Sequence, residues 1–337
     1  MRFGYSPRCL DHDTGPRHPE TPDRLRAIRE GLKRKHGVEY VDADPADLAA
    51  LTSIHDPDYV ESVREFCADG GGDWDPDTVA VEESWDAMNQ SAGLAQWAAR
   101  RALAGDQGRE TPFSIGRPPG HHAVFDDAMG FCFVNNVAVA TQTVLDDGSV
   151  DRVAIVDWDV HHGNGTQDIF YDRGDVFFAS VHEEGLYPGT GDVEATGEDD
   201  GEGTTMNVSL PAGGDTADYA AVFERAVEPA IERFDPGLLL VSAGFDAHRH
   251  DPISRMRVST EGYAVLADRL RGLCERVDAP IAFVLEGGYG LDVLADGVGI
   301  VHETFDGRSP IDPDEPVSDD VAELIEEVRT IHGLGEK

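Results

Sequence analysis

Six short apolar runs recur along this chain, and several of the segments between them repeat apolar residues at helical spacing. The runs are TPFSIGR (111–117), VDRVAIVDW (150–158), DVFFASV (175–181), TTMNVSL (204–210), PGLLLVSAG (236–244) and PIAFVLEGG (280–288). Near-continuous apolar strands imply a sheet covered on both faces, and their alternation with helices makes that sheet mostly parallel. Thr21 then Pro22 predicts a helix start, N-cap followed by first helical position; Leu25, Ile28 and Leu32 then line one face, and Gly37 is a stop. Tyr263, Leu266, Leu270, Leu273 and Val277 predict a second helix by the same spacing. No repeat period or proline-rich linker divides the chain, and the acidic, glycine-rich EATGEDDGEGT (194–204) reads as an exposed loop. A single α/β domain over residues 1–337 is the expectation.

In open parallel sheets, ligands bind beyond the carboxyl ends of the strands, so the residues just after each run bear on function. PPGHHA after 111–117 carries His121 and His122, and DWDVHHG after 150–156 carries Asp157, Asp159 and His161. GFDAH after 236–243 carries Asp246, and EGGYG after 280–285 carries Tyr289. Singly, each has an ordinary alternative: a core histidine beside an exposed one, an aspartate capping a helix or turn, an aromatic at a glycine-rich bend. Those alternatives leave the convergence of four strand ends unexplained.

Asp157, Asp159 and His161 are spaced i, i+2, i+4, so on a continued strand their side chains leave one face. Two carboxylates at a desolvated strand end repel each other, and a divalent cation relieves that repulsion. Catalytic zinc takes three ligands from histidine and carboxylate and keeps one position open; Asp159, His161 and Asp246 would be those ligands. A carboxylate-rich set also lets Fe2+ or another divalent ion compete. The metal polarises a carbonyl and activates water, a histidine moves the proton, and a tyrosine donates to the developing oxyanion. That equipment suits metal-assisted hydrolysis of an amide or ester.

Charge narrows the partners. The chain has 66 acids against 27 basic residues, a net charge of −39, with lysine only at Lys33, Lys35 and Lys337. The acids are spread along the whole sequence, which predicts a solvated shell suited to concentrated salt, that of a halophilic protein. Such a surface repels nucleic acid and anionic membranes, so neither is expected as a partner. Cys9, Cys67, Cys132 and Cys274 lie far apart with no CxxC pairing, which argues against a zinc ribbon or a disulfide framework. The start, MRFGYSPRCLDHD, lacks the apolar core of a signal peptide, and no run approaches a membrane span. A cytoplasmic location is expected; the oligomeric state is not legible.

RPPGHHA (117–123), GFCFVNNVAVA (130–140), DWDVHHGNGTQ (157–167), LYPGTGD (186–192), SAGFDAH (242–248) and LEGGYG (285–290) together resemble the histone deacetylase superfamily, which includes acetoin-utilisation proteins and acetylpolyamine amidohydrolases. The resemblance runs in order from HPETPDRLRAI (18–28) to about residue 300, and the HHGNGTQ variant, with Asn164, is closer to the class II branch. It implies the arginase/deacetylase fold, a doubly wound, mostly parallel sheet flanked by helices. By position it implies metal ligands at Asp159, His161 and Asp246, a general base and acid at His122, its partner at His121 held by Asp157, and a carbonyl-polarising Tyr289. It further implies tunnel walls at Gly130, Phe131 and Tyr187, with a tyrosine where phenylalanine is frequent, and a rim aspartate at Asp77. A potassium ion is implied beside the metal, on the side chains of Asp157 and Asp159, the carbonyls of Asp159 and His161, and Ser180 and Val181.

The activity this resemblance implies is zinc-dependent removal of acetyl groups from N-acetyl-lysine in proteins. The alternative is deacetylation of acetylpolyamines or other small N-acyl amines; relatives that prefer polyamines carry an acid where this chain has Ile253. The GHHA and GGY motifs argue against an arginase-like ureohydrolase. Retention of all the ligands and of the tyrosine argues against a silent acyl-lysine-binding module.

Overall fold

The computed structural model describes residues 1–335. Its strands are β1 (Arg2–Gly4), β2 (Glu39–Val41), β3 (Gly72–Asp73), β4 (Val79–Ala80), β5 (Pro112–Ser114), β6 (Val153–Asp157), β7 (Val176–Glu183), β8 (Thr205–Leu210), β9 (Leu238–Ala243) and β10 (Ile281–Leu285). Eight of them form one sheet in the order β2-β1-β5-β10-β9-β6-β7-β8, every pair parallel, and β3 with β4 makes a separate antiparallel pair. The chain builds outward first, to β2 on one side and β8 on the other. It then inserts β9 and β10 between β5 and β6. That order makes β5, β10, β9 and β6 adjacent, and these are the four strands whose following loops carry the singled-out histidines, acids and tyrosine.

Period two along each strand divides the core. In β6, Ala154 and Val156 join one hydrophobic layer with Leu25, Leu270 and Val301, while Val153 and Ile155 join the other with Val60, Ala95 and Val137. Leu239 and Val241 of β9 take the first side, Leu238 and Leu240 the second. On the second side the helix Ser84–Leu103 presents Ala92, Ala95, Ala98, Ala99 and Ala102, small enough for close approach to the helix Asn136–Asp146.

Several boundaries differ from the sequence reading. The six expected strands are present, five of them shorter and β7 running on to Glu183, and the short strands β1 to β4 were missed because two or three residues carry no periodic signal. The first helix is Asp23–Leu32; Pro22 stands at its N-cap with no side-chain cap, so Thr21 does not cap it, and the helix stops well before Gly37. The second predicted helix is Thr260–Val277, with the Ser259 hydroxyl accepting the Gly262 N–H. Segment 194–204 is a loop, but about half of it is only partly exposed, and its short turn at Asp199–Gly201 buries Gly201. Among the described residues no helix is long and apolar enough to cross a membrane, and all four cysteines are free and buried.

Candidate active site

β6 ends at Asp157, so the same-face argument does not explain how Asp159 and His161 converge. Two successive aspartate turns do it instead. Asp157 Oδ1 accepts the Asp159 N–H at 3.0 Å, and Asp159 Oδ1 accepts the His161 N–H at 2.9 Å. From the loop after β9, Asp246 Oδ1 accepts the Val160 N–H at 2.8 Å and fixes the two loops to each other.

His161 Nδ1 then lies 3.0 Å from Asp159 Oδ1 and 3.3 Å from Asp246 Oδ2, and one donor atom from each of the three residues falls within 4.8 Å of the others. Both aspartates are fully buried, and Asp246 Oδ2 has no hydrogen-bond partner. Burial and the Asp159 carboxylate push the Asp246 carboxyl up to about 7. An orphaned buried oxygen beside an imidazole nitrogen and a second carboxylate is a donor set that fits a divalent cation. A Cβ on Gly287 would overlap the Asp246 carboxylate, and one on Gly244 the Asp159 carboxylate, so both glycines keep the cradle open.

The tandem histidines lie alongside. His121 Nδ1 meets Asp157 Oδ2 at 2.9 Å, and its Nε2 is 3.8 Å from Asp159 Oδ1. Burial opposes charging of this ring, but the two aspartates outweigh it and push His121 up to about 10. His122 Nδ1 meets Asn164 Oδ1 at 2.7 Å. Burial, with His121 and His161 nearby, holds His122 well below its ordinary value. The amide oxygen only accepts, which assigns the His122 proton to Nδ1 and leaves Nε2 with a free lone pair.

The predicted tunnel residues gather at the same place. The Tyr187 ring lies 5.1 Å from the His122 ring, edge-on, and the Phe131 ring lies 5.8 Å from that of Tyr289. Gly130 has φ +57°, and a Cβ there would run into both His122 and Tyr187. Burial and the Asp246 and Asp159 carboxylates, against the Arg24 cation, raise the Tyr289 phenol well above 10, so it stays protonated and able to donate. Asp77 is exposed, and its carbonyl accepts from His18 Nε2 at 2.9 Å in a groove of about 540 Å³ that also borders Phe131. Asp157 pairs with Ser180 across β6 and β7, whereas the Val181 side chain points into the core and offers only its backbone to this region.

Residues 18–305 match the Histone deacetylase domain. The chain belongs to the histone deacetylase family. It is 38% identical to the histone deacetylase-like amidohydrolase of Pseudomonas aeruginosa over 92% of this chain and 87% of that one. It is 36% identical to the chloroplastic histone deacetylase 10 of rice, over 94% and 78%, and 37% identical to a probable deacetylase of Archaeoglobus fulgidus, over 84% and 79%. The crystal structure of the HDA15 HD domain superposes with a TM-score of 0.90 at 34% identity, covering 98% of this chain and 93% of that one. The arginase/deacetylase fold is thereby the fold of this protein.

Several buried charged residues around this site escaped the sequence reading. Glu286, fully buried, accepts the N–H groups of Gly120 and His121 at 2.8 and 3.2 Å and so holds the tandem-histidine loop; burial pushes it up to about 7. Arg24 donates to the carbonyls of Gly288, at 2.8 Å, and Glu286, and lies 5.0 Å over the Tyr289 ring. Glu20 accepts a two-pronged pair from Arg117 at 2.7 and 2.6 Å and a third bond from Arg24 at 3.1 Å. The signal was there in HPETPDRL and LEGGYG, but a charge in a helical or glycine-rich segment reads as solvated until burial is known.

Proposed function

We propose that this deacetylase removes acetyl groups from N-acetyl-lysine side chains in proteins, working as one zinc-dependent catalytic domain in the cytoplasm. The observation that carries the reading is the buried Asp159–His161–Asp246 set, with Asp246 Oδ2 unsatisfied, beside a His122 whose Nε2 is free. A divalent cation bound there, Zn2+ or Fe2+, supplies Lewis acidity toward the amide carbonyl and makes water more acidic. His122 Nε2 takes a proton from the attacking water and later returns it to the leaving amine. Burial, together with a His121 kept charged by Asp157 and Asp159, holds His122 neutral and ready to accept. The Tyr289 hydroxyl donates to the carbonyl oxygen as it gains charge. Phe131 and Tyr187 flank the apolar stem of the lysine and exclude water from it, and Asp77 at the mouth accepts from the substrate backbone. Asp157, Asp159, His161, Ser180 and Val181 would hold a potassium ion, which would offset part of the repulsion between the paired carboxylates.

One observation favours a second reading, a small cationic N-acyl amine such as an acetylpolyamine: Asp75 and Asp77 both act on Tyr187 at the mouth, helping burial to raise its phenol. Ile253 in place of an acid speaks against it. A panel of acetyl-lysine peptides and acetylated polyamines, assayed at molar salt with metal content measured, separates the two. Faster turnover of polyamines than of every peptide would reverse the assignment. Asp246→Ala should lose metal and activity together, since two ligands hold catalytic zinc poorly; an active Asp246→Ala protein with full metal content would remove Asp246 from the ligand set.

A further inference from the structure

Tyr289 sits on a glycine-rich loop between β10 and the helix Leu291–Phe305, and such backbone does not hold one conformation by itself. On one side the loop is tied by Arg24, through the carbonyls of Glu286 and Gly288. On the other it is tied by Asp251. One oxygen, Asp251 Oδ2, accepts the N–H of Tyr289 at 2.7 Å and the N–H of Gly290 at 2.9 Å; the other oxygen accepts the Ile253 N–H at 3.2 Å. The first two amides flank the Tyr289 Cα, one on each side, so together they set the direction in which its side chain leaves the backbone. Gly290 is the N-cap of the following helix and has no side chain to cap it, so the Asp251 carboxylate also supplies negative charge at that helix N-terminus.

Asp251 is itself held firmly. It is 7% exposed, its own N–H donates to the His248 carbonyl at 2.8 Å, and the Ser254 hydroxyl donates to the Asp246 carbonyl at 2.5 Å. Arg255 closes the loop on the buried Glu183 at the end of β7, through its backbone N–H at 2.9 Å and its side-chain Nε at 2.5 Å. The segment 246–255 therefore begins at Asp246 and reaches the tyrosine through Asp251.

We propose that Asp251 is the positioning residue of Tyr289, fixing its hydroxyl where the substrate carbonyl gains charge and tying that position to the loop that carries Asp246. This rests on the reading of Tyr289 as the oxyanion donor. An oxyanion donor works only at hydrogen-bond distance from the developing charge, and a shift of about 1 Å costs roughly 10²-fold in rate.

The test is a double-substitution cycle with a readout beside activity. Asp251→Ala should lower kcat by roughly 10²-fold with KM and metal content unchanged; Asp251→Asn, which keeps one acceptor oxygen, should lose less. On a Tyr289→Phe background the same changes should cost under about twofold more, because the hydroxyl they position is gone. An undiminished loss on that background overturns the proposal. Independently of turnover, amide hydrogen exchange at Tyr289 and Gly290 should accelerate in Asp251→Ala while the β6 amides stay protected; unchanged exchange there also overturns it. Failure of the wild type to hydrolyse any N-acetyl substrate, or a Tyr289→Phe protein with unchanged kcat, instead removes the reading of the site. The exchange measurement then still decides whether Asp251 holds the loop.

Discussion

His121 and His122 are neighbours in sequence with rings 4.0 Å apart, yet their surroundings drive them to opposite charge states. Asp157 and Asp159 keep the first a cation despite burial. The second, buried with His121 and His161 beside it and hydrogen-bonded to the neutral Asn164, stays uncharged. Two identical side chains thereby receive different tasks from their partners alone. His122→Ala should lower turnover by roughly 10²- to 10⁴-fold while the protein keeps its metal and still binds a hydroxamate. His121→Ala should cost less, and near-normal turnover by His122→Ala on every acyl-lysine and acyl-amine would end the proposed mechanism. Tyr289→Phe should lower kcat by roughly 10²- to 10³-fold with the metal in place, the usual loss for one oxyanion donor. The check is a steady-state comparison at saturating substrate, and an unchanged kcat would take the tyrosine out of the chemistry.

At the scale of elements, strand order assembles the site and a buried ion cluster braces it. β5, β10, β9 and β6 are adjacent, and the loops beyond their ends meet. Arg117 follows β5, Glu20 precedes the helix Asp23–Leu32, and Arg24 within that helix reaches the loop after β10; all three side chains are fully buried. Burial opposes ionisation of Glu20, but Arg117 and Arg24 outweigh it and hold the carboxyl well below the usual range. Glu20→Ala leaves two buried guanidiniums without their carboxylate and should destabilise the fold by about 3–5 kcal/mol. Denaturant unfolding at fixed high salt measures it, and a loss under about 1 kcal/mol would show the cluster to be dispensable. Because the folded value of Glu20 is depressed, its contribution is in place above the ordinary carboxylate range. It disappears only as pH falls well below that range, so Glu20 is not what sets stability near neutral pH.

For the whole molecule the controlling quantity is the net charge of −39, carried by acids distributed along the sequence. Several arginines are engaged in ion pairs, such as Arg269 with Glu224 and Glu228 and Arg276 with Glu228 and Glu232, so much of the acidic excess has no cationic neighbour. Unscreened, that excess repels over distances that shrink to about 10 Å at 0.1 M salt and about 3 Å at 1 M. The melting temperature should therefore rise with potassium chloride from millimolar to molar concentration. A flat dependence, followed by circular dichroism, would contradict the halophilic reading.

The parallel sheet, the six strands β5 to β10 and the order of the site motifs were legible in the sequence, because apolar runs and functional loops at strand ends are local signals. That Asp159, His161 and Asp246 come together beside the tandem histidines was legible for the same reason. The strand-face argument for Asp157, Asp159 and His161 chose residues that do converge but named the wrong cause: the chain turns after Asp157, and two side chain–backbone hydrogen bonds close the turns. β1 and β2 carry no periodic signal, and only pairing with β5 and with each other makes them strands. Glu20, Arg24, Arg117, Asp251 and Glu286 look like ordinary surface charges until the fold buries them. Apart from the Glu20–Arg24 contact, four residues apart, their partners lie tens to hundreds of residues away or are backbone amides, and neither appears in the sequence. The chain determined which chemistry it carries; only tertiary packing decided which charges hold that chemistry in place, because burial and long-range hydrogen bonding are properties of the folded molecule.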